Sequence, residues 1–442
     1  MGTVQTLDWL RRYESPNVTF IEPDGSWPIV WERARGAQVW DAEGRKYLDL
    51  TAAFGVAAAG HANRRVVRAG TRQMAKLLHA MGDVHPHALK AQLARALSGL
   101  TFGRWKEPQT QGPAPEPQGP KRGKTIFCNS GFEAVEAALK TAKLATGRSG
   151  VIAFAGAYHG LGYGALNATH REHFRSHFRG QLAEFGRFAP FPTRPQELPA
   201  AGEAIGRLLR RQPIGAVLVE PIQVRGGVNI PPPEFLPLLR RLCDEHSALL
   251  ILDEIYTGFG RTGKWFACEH TATVPDLICL GKALTGGFPL SACVGKSRVM
   301  DAAWPRSSGE AIHTSTFLGH PVGCAMALAQ LEEIRARRLV QRSASLGRFL
   351  LSLLSRLAAP ASALRLSARG LGLLAGLEVR AQDGSPATAA AQGLLKTMLR
   401  RGFILLPEGE RANVLTFTPP LTISEKDLGA ALSELERALL EW

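Results

Sequence analysis

Two charged side chains stand at the ends of two short apolar runs. Leu249-Leu250-Ile251-Leu252 is followed at once by Asp253 and Glu254, and Leu277-Ile278-Cys279-Leu280 ends in Gly281-Lys282. Runs of this kind read as strands buried on both faces, and open α/β sheets carry their chemistry just beyond the C-terminal ends of such strands. A third carboxylate, Glu220, ends the run Ala216–Val219 in the same way. A carboxylate and an amine at neighbouring strand ends form either an ordinary buried ion pair or a reactive centre. Lysine is rarely placed in such a setting for packing. In a desolvated site its pKa falls, and the neutral amine can form an imine with an aldehyde.

A second constellation could hold an anion. Thr125–Cys128 reads as a strand, Asn129-Ser130-Gly131 as a turn, and Phe132–Ala145 as a helix rich in Ala, Leu, Glu and Lys. Ser130 can cap that helix, and the free N–H groups of its first turn suit a phosphate. Alone, such a turn says no more than that a helix begins there. Another strand, Val151–Phe154, leads to Tyr158-His159-Gly160.

The stretch Asp253-Glu254-Ile255-Tyr256-Thr257-Gly258-Phe259-Gly260-Arg261-Thr262-Gly263, with Gly281-Lys282 beyond it, closely resembles the active-site signature of the class III aminotransferases. These are pyridoxal-phosphate enzymes of fold type I. The resemblance extends from about Trp40 to Leu440. It implies Lys282 as the Schiff-base lysine, Asp253 as the partner of the pyridine nitrogen, and Ser130, Gly131 and the backbone of Phe132 on the phosphate. Phe132 replaces the more usual Thr. Tyr158 inherits the place of the aromatic that stacks on the pyridine ring, with His159 close by; offset stacking would fix the ring without competing for its polar atoms. Glu220, Ile255 and Tyr256 complete the expected cofactor shell, Tyr256 standing where many relatives carry Gln. The block His313-Thr314-Ser315-Thr316-Phe317, followed by Gly319-His320-Pro321, resembles the segment whose Thr reaches the phosphate of the neighbouring subunit. Thr316 therefore implies a homodimer.

The substrate positions depart from the pattern. Ornithine- and 4-aminobutyrate-type relatives read E-P-x-Q-G-E-G-G, and the second Glu masks an Arg of a later N-V-x-R-F motif. Here Arg225 replaces that Glu and Thr416 replaces that Arg. Besides drift on a pocket rim, the double change is open to the reading that Arg225 has taken over carboxylate binding through its bidentate fork. Phe54 lies where the family places a substrate-pocket aromatic, and a core Phe is the other reading. The same scaffold also carries racemases, a mutase and a decarboxylase, and a fold relative without catalysis is a further class. Transfer of an amino group from an amino acid or amine to pyruvate or 2-oxoglutarate is the activity that the resemblance implies.

The elements that must position these residues follow a strand–helix–strand order without internal repeat, which argues for a mostly parallel sheet covered by helices on both sides. The expected architecture is α/β, with a large domain over residues 61–330, a smaller α+β domain over 331–442, and an N-terminal segment, 1–60, packing with the small domain. Val39–Asp49 reads as a hairpin around a Glu-Gly turn, and Val66–Leu78 and Ala88–Leu100 as amphipathic helices. The first thirty residues read as an irregular arm, Glu107–Gly123 as an exposed Pro/Gly-rich loop, and Thr169–Pro192 as loop with short helix.

At 442 residues and 45% hydrophobic content the chain can bury a sizeable core, and no apolar run is long enough to span a bilayer. Six scattered cysteines without C-x-x-C spacing point to reduced thiols in a cytoplasmic protein, and no metal-ligand spacing stands out. The net charge of +15 arises from dispersed basic pairs such as Arg240-Arg241 and Arg337-Arg338, not from a stripe interleaved with aromatics. That distribution favours attraction of anionic ligands over nucleic-acid binding.

Overall fold

The computed structural model describes residues 1–105, 122–358 and 364–441. Most of the loop expected over residues 107–123 therefore lies outside the described residues. The chain opens with a helix, Thr3–Tyr13, where the sequence suggested an irregular arm. Only Leu7 of that helix is buried, so its apolar stripe is too thin to show as a period.

Three strands follow: β1 (Trp31–Arg35), β2 (Gln38–Asp41) and β3 (Lys46–Asp49). The expected hairpin is β2–β3, closed by Asp41, whose Oδ1 accepts from the backbone N–H groups of Glu43 and Arg45. Two helices, Arg64–Lys76 and Ala88–Leu100, lead to the large sheet. Asn63 caps the first, its Oδ1 accepting from Arg65 N and Val66 N.

The large sheet has seven strands: β4 (Gly123–Cys128), β5 (Gly150–Phe154), β6 (Gly186–Ala189), β7 (Ile214–Val219), β8 (Leu249–Asp253), β9 (Leu277–Leu280) and β10 (Ser291–Lys296). Their order is β4-β10-β9-β8-β7-β5-β6. Strands β6, β5, β7, β8 and β9 run parallel, and β10 is antiparallel to both of its neighbours. Alternation divides the side chains between two cores. Leu250 and Leu252 of β8 enter one with Ile278 and Leu280 of β9, while Ile251 joins Leu277 and Cys279 beneath the helix Gly131–Thr146 on the other face. Strand β6 was missed in the sequence because it is short, sits at the sheet's edge, and only Ala189 of it is fully buried.

The helix Pro321–Ala336 packs on Arg64–Lys76 and leads into Leu339–Leu357. The division expected at 330/331 falls within the first of these two. The C-terminal sheet contains β11 (Leu364–Gly370), β12 (Ala375–Ala381), β14 (Leu406–Glu408) and β15 (Val414–Phe417) in the order β11-β12-β15-β14. Strand β13 (Phe403–Ile404) instead leaves this sheet and pairs in parallel with β3, Ile404 opposite Asp49. Val39, Tyr47, Leu399 and Ile404 close a shared core between the two ends of the chain. Arg261, fully buried, ties the two parts further: its Nη1 donates to the carbonyls of Leu373 and Pro419.

Several basic pairs are engaged in ion pairs. Arg240 bonds Asp276 and Asp244, Arg241 bonds Glu245, and Arg337 lies against Glu333. No helix among the described residues is long and apolar enough to cross a membrane.

Candidate active site

The ends of β7, β8 and β9 bring Glu220, Asp253 and Lys282 to one cavity of about 430 Å³. Gly131, Phe132, Tyr158, His159, Ile255, Tyr256 and Arg225 also line it. Of the residues expected at a cofactor site, the lining thus holds all but Ser130, which directly precedes it, and Thr316. Gly160, at φ +114°, lets the turn after His159 approach Phe132, where a Cβ would stand 2.3 Å from the Phe132 Cβ.

Successive residues of a strand face opposite ways, and β8 uses both directions at its end. Glu254 turns into the protein, where it accepts from Ala267 N at 2.9 Å, Cys268 N at 2.8 Å and Thr257 Oγ1. Burial pushes its carboxyl up to about 7. Asp253 turns to the cavity. Its Oδ2 lies 2.8 Å from His159 Nδ1, and its Oδ1 accepts from Ile255 N at 3.1 Å. His159 is buried, and its Nε2 has no partner among the described residues. The imidazole thus fixes the orientation of a carboxylate aimed into the cavity.

Lys282 begins a short 3₁₀ turn after β9, with a backbone φ of +34° that side-chain-bearing residues rarely adopt. Its ammonium lies 4.3 Å from the centroid of the Tyr256 ring. Burial lowers its pKa, and the carboxylates of Asp253 and Glu220 oppose that shift. Tyr256 sends its hydroxyl the other way, 3.2 Å from Thr418 Oγ1, which itself donates to Thr51 O. Burial pushes the phenol up to about 12.

Glu220 accepts from the backbone N–H of Tyr158 at 2.9 Å, and burial pushes its carboxyl up to about 7. At the other rim, Glu133 accepts from the N–H groups of Asn129 and Ser130 at 2.7 and 2.8 Å. The Ser130 hydroxyl is buried at the N-cap of Gly131–Thr146, in a capping box with Glu133, and among the described residues it makes no hydrogen bond of full geometry. A helix N-terminus with free N–H groups and a hydroxyl that can donate is an anion site.

The substrate candidates separate. Arg225 lines the cavity, its guanidinium 5.1 Å from the centroid of the Tyr158 ring. Thr416 is buried on β15, its hydroxyl without a partner among the described residues. Phe54 is half exposed and outside the cavity lining, and Thr316 is exposed on the loop before Pro321–Ala336. Sequence reasoning missed Glu408, the last residue of β14, whose carboxylate lies 3.6 Å from Arg225 Nε. The signal was present: like Asp253 and Glu220, Glu408 ends an apolar run, here Phe403–Leu406 interrupted only by Pro407. Among the described residues no group of three or more His, Cys, Asp or Glu could hold a metal.

A ring nitrogen beside an oriented carboxylate, an aldehyde beside a pKa-lowered lysine and a phosphate at a helix N-terminus are the parts of pyridoxal phosphate. The buried Ser130 hydroxyl at the helix N-terminus and the His159-held Asp253 fit that group. Residues 21–439 match the family described as Aminotransferase class-III, and the chain belongs to it. It is therefore a pyridoxal-phosphate-dependent aminotransferase of fold type I. Among curated relatives, the putrescine aminotransferase of Pectobacterium atrosepticum is 35% identical over 98% of this chain and 88% of its own length. The 5-aminovalerate aminotransferase of Pseudomonas aeruginosa is 36% identical over 92% of each chain. A PLP-bound amine transaminase from an uncultivated Pseudomonas species superposes with a TM-score of 0.84 at 28% identity, covering 97% of this chain and 98% of that one.

Proposed function

We propose that Lys282 is the catalytic lysine of this aminotransferase, that Asp253 sets the protonation of the cofactor ring, and that pyruvate or 2-oxoglutarate is the acceptor. The observation that carries the reading is the convergence of Lys282, Asp253 and the Ser130 turn on one cavity. Bound pyridoxal phosphate would supply an electron-withdrawing ring that acidifies the amino-bearing carbon of the donor. Ser130 and the N–H groups of Gly131 and Phe132 would hold the phosphate. Tyr158 and Ile255, which both line the cavity, would hold the ring between them. Asp253, oriented by His159, keeps a proton on the ring nitrogen. Lys282, whose pKa is lowered by burial, would take the proton from the donor carbon as base and return it as acid.

The test is spectroscopic. The holoenzyme should lose its yellow colour on addition of an amine or amino acid and regain it with pyruvate or 2-oxoglutarate. Lys282→Ala should slow both changes by orders of magnitude; a holoenzyme that no amine bleaches would refute the reading.

The active assembly is a homodimer in which Thr316 serves the partner's site. Support comes from exposure: Leu77, Leu78, Met81 and Val84 are open to solvent, as are Ile312 and Phe317 flanking Thr316. Apolar surface of that extent suits a second copy. Mixed dimers of a Lys282→Ala chain and a Thr316→Ala chain test the arrangement. If Thr316 acts across the interface, each such dimer regains one intact site, and activity returns on mixing. Should Thr316 act within its own chain, mixing restores nothing.

A further inference from the structure

Behind Arg225 lies a charged group that the transfer of an amino group does not require. Glu408 is 4% exposed, and no hydrogen bond reaches its carboxylate among the described residues. Its one ion-pair partner, Arg225 Nε, stands 3.6 Å away, beyond hydrogen-bond range, and that Nε is itself buried without a partner. A buried carboxylate and a guanidinium held this loosely forgo the bonds that normally offset their desolvation. A third unused group stands beside them. On the β14–β15 ladder Leu406 opposes Thr416 and Glu408 opposes Val414, so Thr416 and Glu408 share one face of the sheet. Val414 shares a small apolar cluster with Tyr256 and Ile222, which line the cavity, so this face stands directly behind the lining, with Glu408 and Thr416 one layer beyond it. The charge of Glu408 acts on Lys282, Tyr158 and Tyr256, and the cations that face it are Arg225, Lys282 and Arg171.

We propose that Arg225 and Glu408 form a zwitterion site: Arg225 takes the carboxylate and Glu408 the ammonium of an α-amino acid head, while the donor's distal amine points to Lys282. This deepens the aminotransferase reading of the cavity and rests on it. A diamine would satisfy Glu408 but bring a like charge to Arg225, and a simple ω-amino acid would satisfy Arg225 while opposing Glu408. Only a head bearing both charges, an ammonium and a carboxylate on one carbon, completes both partners at once. Thr416 offers its hydroxyl to the same head. Burial, which pushes the Glu408 carboxyl up to about 7, agrees with a group awaiting a cation.

The experiment is a cycle between enzyme and substrate variants, read as single-turnover bleaching of the holoenzyme by donor alone. The donors are L-lysine, 6-aminohexanoate (lysine without its α-amine) and 1,5-diaminopentane (lysine without its carboxylate). Wild type should favour lysine over both, with the product showing loss of the side-chain amine. In Glu408→Gln the preference for lysine over 6-aminohexanoate should fall roughly 10- to 100-fold, the range of one charge-assisted hydrogen bond. In Arg225→Ala the preference for lysine over 1,5-diaminopentane should collapse similarly, which keeps the proposal testable should Glu408→Gln fail to fold. Wild type bleached faster by 1,5-diaminopentane than by lysine would overturn the zwitterion site, and so would ratios indifferent to both substitutions. Bleaching by none of the three, nor by any other amine, would instead refute the underlying aminotransferase reading.

Discussion

At the residue scale, the site rests on a few side chains whose surroundings decide their chemistry. Lys282→Ala should lower turnover by roughly 10²–10⁴-fold or more, because a positioned acid–base group is lost. Single-turnover bleaching measures it. His159→Phe leaves Asp253 in place but without its orienting bond, so cofactor affinity and bleaching rate should both fall, whereas a purely structural His would change neither in the folded protein. Arg225→Ala should raise KM for 2-oxoglutarate by roughly 10- to 100-fold while affecting simple amines much less, as expected for one lost bidentate pair. Steady-state kinetics with each substrate varied decides this; equal effects would remove Arg225 from carboxylate binding. Glu408 adds a pH dependence. Its carboxyl is charged above about 7, so preference for donors with an α-ammonium should be lost as pH falls through that value. That Asp253, Ile255 and Tyr256 meet in one cavity was easy to anticipate, because they stand within one contiguous stretch, Asp253 through Gly263. Glu408 left only a weak signal, the end of an apolar run broken by Pro407, because its partner Arg225 is far away in sequence and only the fold brings the two within 3.6 Å.

At the element scale, β8 and β9 must end in register for Asp253 and Lys282 to meet. Asp276, before β9, helps to set that register: its Oδ2 accepts from Leu250 N at 2.9 Å and from Arg240, and its Oδ1 lies 3.0 Å from Lys296 Nζ. Burial alone would raise its pKa, but the cations of Lys296 and Arg240 outweigh it and hold the carboxyl below its ordinary 3.8. A carboxyl with a depressed native pKa contributes stability above its unfolded value and loses it as pH falls through the native one. Asp276→Asn should therefore cost about 3 kcal/mol near neutrality, and the deficit should shrink as pH falls below 3.8. Urea unfolding at several pH values checks both statements. The central strands were legible for the same reason that they are stable, since Leu249–Leu252 and Leu277–Leu280 are apolar on both faces. The helix Thr3–Tyr13 and the edge strand β6 were not, because each buries a single residue fully and leaves little period to read.

At the scale of the whole molecule, sequence order and spatial order diverge. The sequence suggested that the N-terminal segment packs with the small domain, but the register came only with the fold: β3 stands next to β13, and Leu50 N donates to Ile404 O. Sedimentation of the holoenzyme should give twice the mass of one chain, with exchange of Leu78 and Phe317 for charged residues shifting the protein to monomers. The β3–β13 pairing also bears on how the protein is made. During synthesis the β1–β3 ribbon leaves the ribosome early, and β3 keeps an open edge until nearly the entire polypeptide has followed. The large sheet needs nothing after Lys296 for its strands and can assemble first. Lys46–Asp49 thus waits as an unpaired template for a strand that follows about 355 residues later, and such non-local pairing is slow to form. A transcript truncated before Phe403 would release a protein with a finished catalytic sheet and a permanently open edge, a species suited to aggregation and to capture by chaperones.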